Sequence, residues 1–148
     1  MGKWFEDLPA GSAFETPART VTEADLVAFS GLSWDVHALH TDAEHARATP
    51  FGSRIAHGAL VLSMAVGLRA RTGYFDDTLL AFLEIRSWRF LGPVRIGDTI
   101  RVRNEVTEAR RTSDPARGVV VQRVEVVNQE GTAVQSGEMV SLMRCRPE

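Results

Sequence analysis

The strongest constraint on this chain lies at residues 55–71, a helix-length stretch that is apolar on nearly every side. Ile55, Ala59, Leu60, Val61, Leu62, Met64, Val66 and Leu68 leave no broad polar face, so the pattern predicts a helix buried on most sides. Ala56, Gly58, Ala59, Ser63, Ala65 and Gly67 are small, which lets neighbouring backbone approach closely. The apolar run is shorter than the ~20 residues that span a bilayer, so it reads as a core helix and not as a membrane segment.

Downstream of that helix the apolar pattern alternates with period two. Residues 78–91 put Leu79, Ala81, Leu83 and Ile85 on one face, with Phe82, Trp88 and Phe90 on the other. Ile100, Val102 and Val106 alternate with Arg101, Arg103 and Glu105, and residues 119–128 and 134–144 read as two further strands around an Asn128-Gln129-Glu130-Gly131 loop. A curved antiparallel sheet wrapped around one apolar helix satisfies this order and predicts an α+β fold. Its long open edge would invite pairing with a second copy.

The first third is irregular and short-helical. Thr22-Glu23-Ala24-Asp25 has the form of a capping box, with Leu26, Val27 and Phe29 supplying an apolar face and Gly31 a stop. A second helix start falls at Asp42 and ends at Thr49-Pro50. With 148 residues, no repeat and no linker, the chain is expected to form a single domain over residues 1–148. Seventeen basic against nineteen acidic residues leave a formal charge of −2, so there is no electrostatic footprint for nucleic acid or an anionic membrane. Cys145 stands alone, which excludes an internal disulfide and the thiol-rich zinc sets. Lys3, Glu6, Asp7 and Pro9 interrupt any apolar leader, so the expected location is cytoplasmic.

The chemistry gathers just ahead of the apolar helix. Asp35, His37 and His40 fall within six residues, and His57-Gly58 opens the helix. A carboxylate and an imidazole sharing one water can remove a proton and deliver another, and the ordinary histidine pKa of ~6.5 suits this near neutrality. Gly58, placed in the first helical turn, would offer an unpaired backbone N–H to a developing oxyanion. Taken alone, Asp35 also fits an Asx turn, His37 and His40 fit a surface loop, and Ser63 fits a core hydroxyl bonded to the preceding turn. A His-x-x-His loop without further ligands at a recognised spacing does not make a metal site, and none is expected.

These residues resemble the MaoC-like hot-dog family, the (R)-specific enoyl-CoA hydratases and acyl dehydratases. Asp35-Val36-His37-Ala38-Leu39-His40 aligns with the family's Asp-x-Asn-Pro-(Leu/Ile)-His. Thr49-Pro50-Phe51-Gly52 and Arg54-Ile55-Ala56-His57-Gly58 follow in the family's order. So do Phe90-Leu91-Gly92-Pro93-Val94 and Ile96-Gly97-Asp98-Thr99-Ile100. The resemblance implies a hot-dog fold and a hydro-lyase that adds water to a 2-enoyl thioester or removes it from a 3-hydroxyacyl thioester. Asp35 and His40 would be its catalytic pair and the Gly58 N–H the donor to the thioester oxygen. The acyl group would ride on coenzyme A or an acyl carrier protein, with no cofactor beyond that carrier. A homodimer with the thioester channel between subunits is implied too. His37, His57 and Ser63 are auxiliary candidates, and Trp34, Phe51, Met64 and Val66 are candidates for the channel wall.

Two departures bear on chemistry: His37-Ala38 stands where the family has Asn-Pro, and Val66 stands where some relatives carry a hydroxyl. The first leaves open a hot-dog thioesterase or an enzyme adding an amine to the enoyl thioester. A non-catalytic thioester-binding subunit is the alternative from another class, since fold alone does not fix function.

Overall fold

The computed structural model describes residues 2–147. A 3₁₀ turn, Phe5–Asp7, leads into short strands β1 (Ala13–Glu15) and β2 (Arg19–Thr20). Helices α1 (Glu23–Ser33), α2 (Ala38–Thr41), α3 (Ala43–Arg47) and α4 (Gly58–Ala70) come next, then strands β3 (Leu79–Phe90), β4 (Thr99–Arg111), β5 (Arg117–Val127) and β6 (Ala133–Arg144). The sheet is antiparallel, in the order β1-β4-β5-β6-β3, with β2 paired to β4 off that path.

Strand alternation places Ile100, Val102, Val124, Val126 and Met139 against Leu60, Val61, Met64, Ala65 and Leu68 of α4. Each buried Val, Leu, Ile or Met among them contributes roughly 1.5–3 kcal/mol. The opposite face of the sheet buries Val119, Val121 and Val140 in a cluster of their own. So the α+β arrangement of one helix cradled by a long antiparallel sheet is the observed one.

Two local expectations need correction. The central helix begins at Gly58, not Ile55, because Ile55 forms an isolated bridge with Arg95 and the Ala56 N–H donates to the Val94 carbonyl at 2.7 Å. Nor is α4 buried on most sides within one chain. Ser63, Val66, Gly67 and Ala70 face outward, because the sheet covers only one side of a helix.

Helix α1 has the expected capping box: the Asp25 N–H donates to Thr22 Oγ1 and the Thr22 N–H to Asp25 Oδ2. It runs past Gly31 to Ser33 and ends on Trp34, whose φ of 63° lies in the left-handed region. The Trp34 N–H closes on the Ser30 carbonyl, and Ser33 Oγ donates to the Phe29 carbonyl while accepting from the Asp35 N–H. That reversal aims the next residue, Asp35, back over the start of α4.

At the other end of the sheet, β3 pairs only with β6 and carries three register shifts that break its simple alternation. Leu79, Phe82, Leu83, Ile85 and Phe90 are exposed along it.

Candidate active site

His40 is positioned by the short helix α2, which starts on a cap supplied by a side chain. His37 Nδ1 accepts from the Leu39 N–H at 3.1 Å, the job an asparagine side chain performs at an N-cap. The His that stands where the family has Asn thus supplies the cap of α2. Asp42 caps α3 in the same way, accepting from the N–H groups of Glu44 and His45.

The His40 ring is oriented by main chain. Its Nδ1 lies 2.8 Å from the Ile55 carbonyl. A carbonyl only accepts, so Nδ1 carries the proton and Nε2 presents a lone pair. The ring stacks on His57, with centroids 3.9 Å apart and planes inclined at 27°. His57 Nε2 lies 3.0 Å from both the Asp35 carbonyl and Ser30 Oγ. By the same reasoning Nε2 is its protonated nitrogen, and it holds the chain at Asp35 in place. His57 is 1% exposed and its Nδ1 has no partner among the described residues. Burial holds its pKa below the ordinary histidine value; the adjacent His40 pushes the same way, and the bond to the Asp35 carbonyl opposes both.

Asp35 is exposed, and its Oδ1 accepts from the His37 N–H at 3.3 Å. It thus does form an Asx turn, and the other carboxylate oxygen stays available. Asp35, His40 and His57 each offer one ligand-type atom, all within 4.8 Å of one another. The stacked imidazoles keep their lone pairs in nearly parallel planes, which is poorly suited to convergence on one ion.

Gly58 is the first residue of α4, so its N–H precedes the helix's own ladder, which opens with the Val61 N–H on the His57 carbonyl. A side chain here would collide with its surroundings: a Cβ would sit 2.6 Å from Phe90 Cε1. Gly58 lines a cavity of about 600 Å³ with Phe51, Ala59, Phe90, Pro93 and Gln135. A second groove, about 680 Å³, runs between α1 and α4 past Phe29, Leu32, Ser63, Met64 and Leu68. Phe29 meets the His57 ring edge-on at 5.0 Å, which ties that groove to the histidine stack.

The remaining candidates fall in different places. Phe51 shares the Gly58 cavity and Met64 the α1–α4 groove. Ser63 donates to the Ala59 carbonyl, so its hydroxyl is satisfied within the helix. Val66 faces a small hollow with Phe75, Leu79 and Phe82, whose lining includes none of the histidines. Trp34 is 87% exposed and lines neither the Gly58 cavity nor the α1–α4 groove.

Three contributors carry no clear signal in the sequence: Ser30, the Ile55 carbonyl and Gln135. Only Gln135 leaves a trace, as a polar residue beside Val134 at the start of the last strand pattern.

A family model described as a MaoC like domain matches residues 7–129. An (R)-specific enoyl-CoA hydratase of Rhodospirillum rubrum is 36% identical over 107 residues, covering 70% of this chain and 69% of that protein. An Archaeoglobus structure described as a monoamine oxidase regulatory protein superposes with a TM-score of 0.90 at 40% identity, covering 99% of this chain and 97% of that one. A Mycobacterium tuberculosis protein described as a double hotdog fold superposes with a TM-score of 0.87 at 23% identity, covering 99% of this chain and 46% of that one. The chain spans between 30% and 69% of the length of three curated relatives that it matches. With the family model covering most of the chain, and a helix-cradling sheet that superposes on these structures, this protein belongs to the MaoC-like dehydratase family and has the hot-dog fold.

Proposed function

We propose that this chain is a hydro-lyase acting on an acyl thioester, with Asp35 and His40 as its catalytic pair and the Gly58 N–H as its oxyanion donor. One observation carries the reading. The Ile55 carbonyl fixes the His40 tautomer so that Nε2 is the basic atom, in a cluster with the Asp35 carboxylate at the mouth of the helix that Gly58 begins.

In the hydration direction, Asp35 and His40 Nε2 hold one water. Nε2 takes a proton as the water oxygen bonds to the β carbon of the enoyl group. The π electrons move through the α carbon onto the thioester oxygen, where charge develops and the Gly58 N–H meets it. The proton held by the Asp35–His40 pair then passes to the α carbon, so the sum is addition of H and OH. No electrons leave or enter, so the chemistry needs no redox cofactor. Both coenzyme A and acyl carrier protein thioesters present the same reacting atoms.

The case for a thioesterase or an amine-adding enzyme rests on His37. Its Nδ1 is engaged in capping α2, which weakens that case. The exposed apolar edge of β3 suits a second copy of this chain. In that case Phe82→Glu combined with Ile85→Glu should halve the mass seen by light scattering, and an unchanged mass would exclude this edge. No helix among the described residues is long and apolar enough to cross a membrane.

The test is turnover of crotonyl-CoA, followed by loss of the enoyl-thioester absorbance. Wild type should hydrate it, and Asp35→Asn with His40→Ala should not. Equal rates in the two proteins would sink the assignment, and release of free coenzyme A without a 3-hydroxyacyl product would indicate thioesterase action instead.

A further inference from the structure

The first turn of α4 is held from the sheet side by two side chains in series. Gln135 lies on β6 and is 2% exposed. Its Nε2 donates to the Gly58 carbonyl at 3.0 Å, and its Oε1 accepts from Trp88 Nε1 at 3.0 Å. The direction of the amide is unambiguous, because an indole N–H only donates and a carbonyl only accepts. Trp88 is seated in its turn by Gly137, where a Cβ would lie 2.7 Å from the indole Cε3. The backbone of Gln135 pairs with Phe90, the residue whose ring crowds the Gly58 Cα. Gln135 also lines the same cavity as Gly58.

Helical geometry shows why this matters. The Gly58 carbonyl already belongs to the helix's own ladder, so Gln135 brings it a second donor. The Gly58 carbonyl and the Ala59 N–H share one peptide plane, and both N–H groups of this turn precede the intrahelical bonds. Hydrogen bonding at the carbonyl polarises that peptide and fixes the turn along its axis. A polar side chain buried under a sheet is costly unless both ends of the amide are used, and here both are.

Building on the lyase reading, we infer that Gln135 is a positioning residue for the oxyanion donor at the start of α4, and that Trp88 acts on it only through Gln135. Neither side chain takes or gives a proton in the reaction. Their effect is on where the Gly58 N–H stands when charge reaches the thioester oxygen.

Two readouts test this on the whole 148-residue chain. In the first, kcat and KM are measured with crotonyl-CoA. Gln135→Leu should lower kcat about tenfold with KM changed by no more than about twofold, in keeping with the sensitivity of catalysis to small misplacements. Trp88→Phe should lower kcat by a smaller factor, and the double variant should match Gln135→Leu alone. In the second, the carbonyl stretch of bound butyryl-CoA, which has no double bond to hydrate, is followed by isotope-edited infrared spectroscopy. It should lie below that of free thioester in the wild type and return toward the free value in Gln135→Leu.

Where Gln135→Leu fails to fold, Gln135→Met serves in its place. It keeps the length of the side chain, removes both the N–H to Gly58 and the acceptor for Trp88, and should show the same loss and the same return. An unchanged stretch together with an unchanged kcat overturns the inference, as does a defect confined to KM or multiplicative effects of the two variants. A wild type without turnover, but with the spectral shift and its loss in the variant, would refute the lyase reading and still support the role of Gln135.

Discussion

Arg69 is a charge placed where the hydrophobic core should be, and its energetics can be tested directly. It projects from α4 onto the concave face of the sheet and is 5% exposed. Its Nε donates to Asn104 Oδ1 at 2.8 Å, its amino groups to Gln122 Oε1 and Met139 Sδ, and the guanidinium lies 5.0 Å from the centre of the Phe75 ring. None of these partners is an acid. Burial pushes the Arg69 pKa down to about 10, so the group is still charged at neutral pH.

At ~1.4 kcal/mol for each tenfold change in proton affinity, keeping this charge buried costs on the order of 3 kcal/mol. Asn104 Nδ2 and Gln122 Nε2 are buried without partners, and each adds roughly 1–3 kcal/mol of cost. The hydrogen bonds to the guanidinium return roughly 1.5–3 kcal/mol apiece. Replacing the whole group with apolar side chains, Arg69→Met with Asn104→Leu and Gln122→Leu, should therefore stabilise the fold by about 1–4 kcal/mol. Removing one member alone should do the opposite. Asn104→Leu strands the buried Nε and should destabilise by about 3 kcal/mol.

The assay is equilibrium unfolding in urea, read by tryptophan fluorescence and circular dichroism at one fixed protein concentration, because assembly would shift the midpoint by mass action. A triple variant less stable than wild type by more than about 1 kcal/mol would refute the reasoning, since the charge would then be contributing net stability. So would an Asn104→Leu protein that unfolds at the wild-type midpoint.

Three further outcomes are set by the geometry. His37→Ala should cost about 1 kcal/mol by uncapping α2 while His37→Asn retains wild-type stability, both read from urea midpoints. Trp34→Gly should raise stability by about 0.5–1 kcal/mol, because only glycine adopts the left-handed conformation at φ 63° without penalty; a lowered melting temperature would contradict this. For His57, whose folded pKa is depressed, the unfolded chain takes up a proton before the folded one does. Its contribution is therefore intact above the ordinary histidine value and is lost as pH falls below ~6.5. The stability of wild type should fall more steeply with acid than that of His57→Gln, in paired denaturation curves across that range.

Where the determinants are local, the sequence is informative. The Thr22 capping box, the Asp42 cap and the four long strands arise from short-range pattern, and each lies close to its expected place. The start of α4 does not, because Ile55 is drawn into a bridge with Arg95, forty positions along the chain. The end of α1 does not either: Gly31 has the right chemistry for a stop, but the Ser33 and Trp34 geometry ends the helix two residues further on. Period-two reading assigns faces to β3 that its register shifts erase. At the site, the residue types of Asp35, His40 and Gly58 are legible. What orients them is not, because the Ile55 carbonyl carries no side-chain signature, and Ser30 and Gln135 reach the site only through tertiary folding.

The group that aims the His40 imidazole is part of the main chain, and every amino acid supplies it. Mutation at position 55 changes the side chain and leaves that acceptor in place, so the orientation of the base is shielded from most coding changes at the residue that sets it. Its vulnerability is displaced to the side chains that seat the facing segment: Val94 is 2% exposed in the core, and the Arg95 guanidinium donates to the Phe51 carbonyl and to Ser53 Oγ. In a saturation library selected for activity, positions 94 and 95 should tolerate fewer replacements than position 55, although neither touches the imidazole.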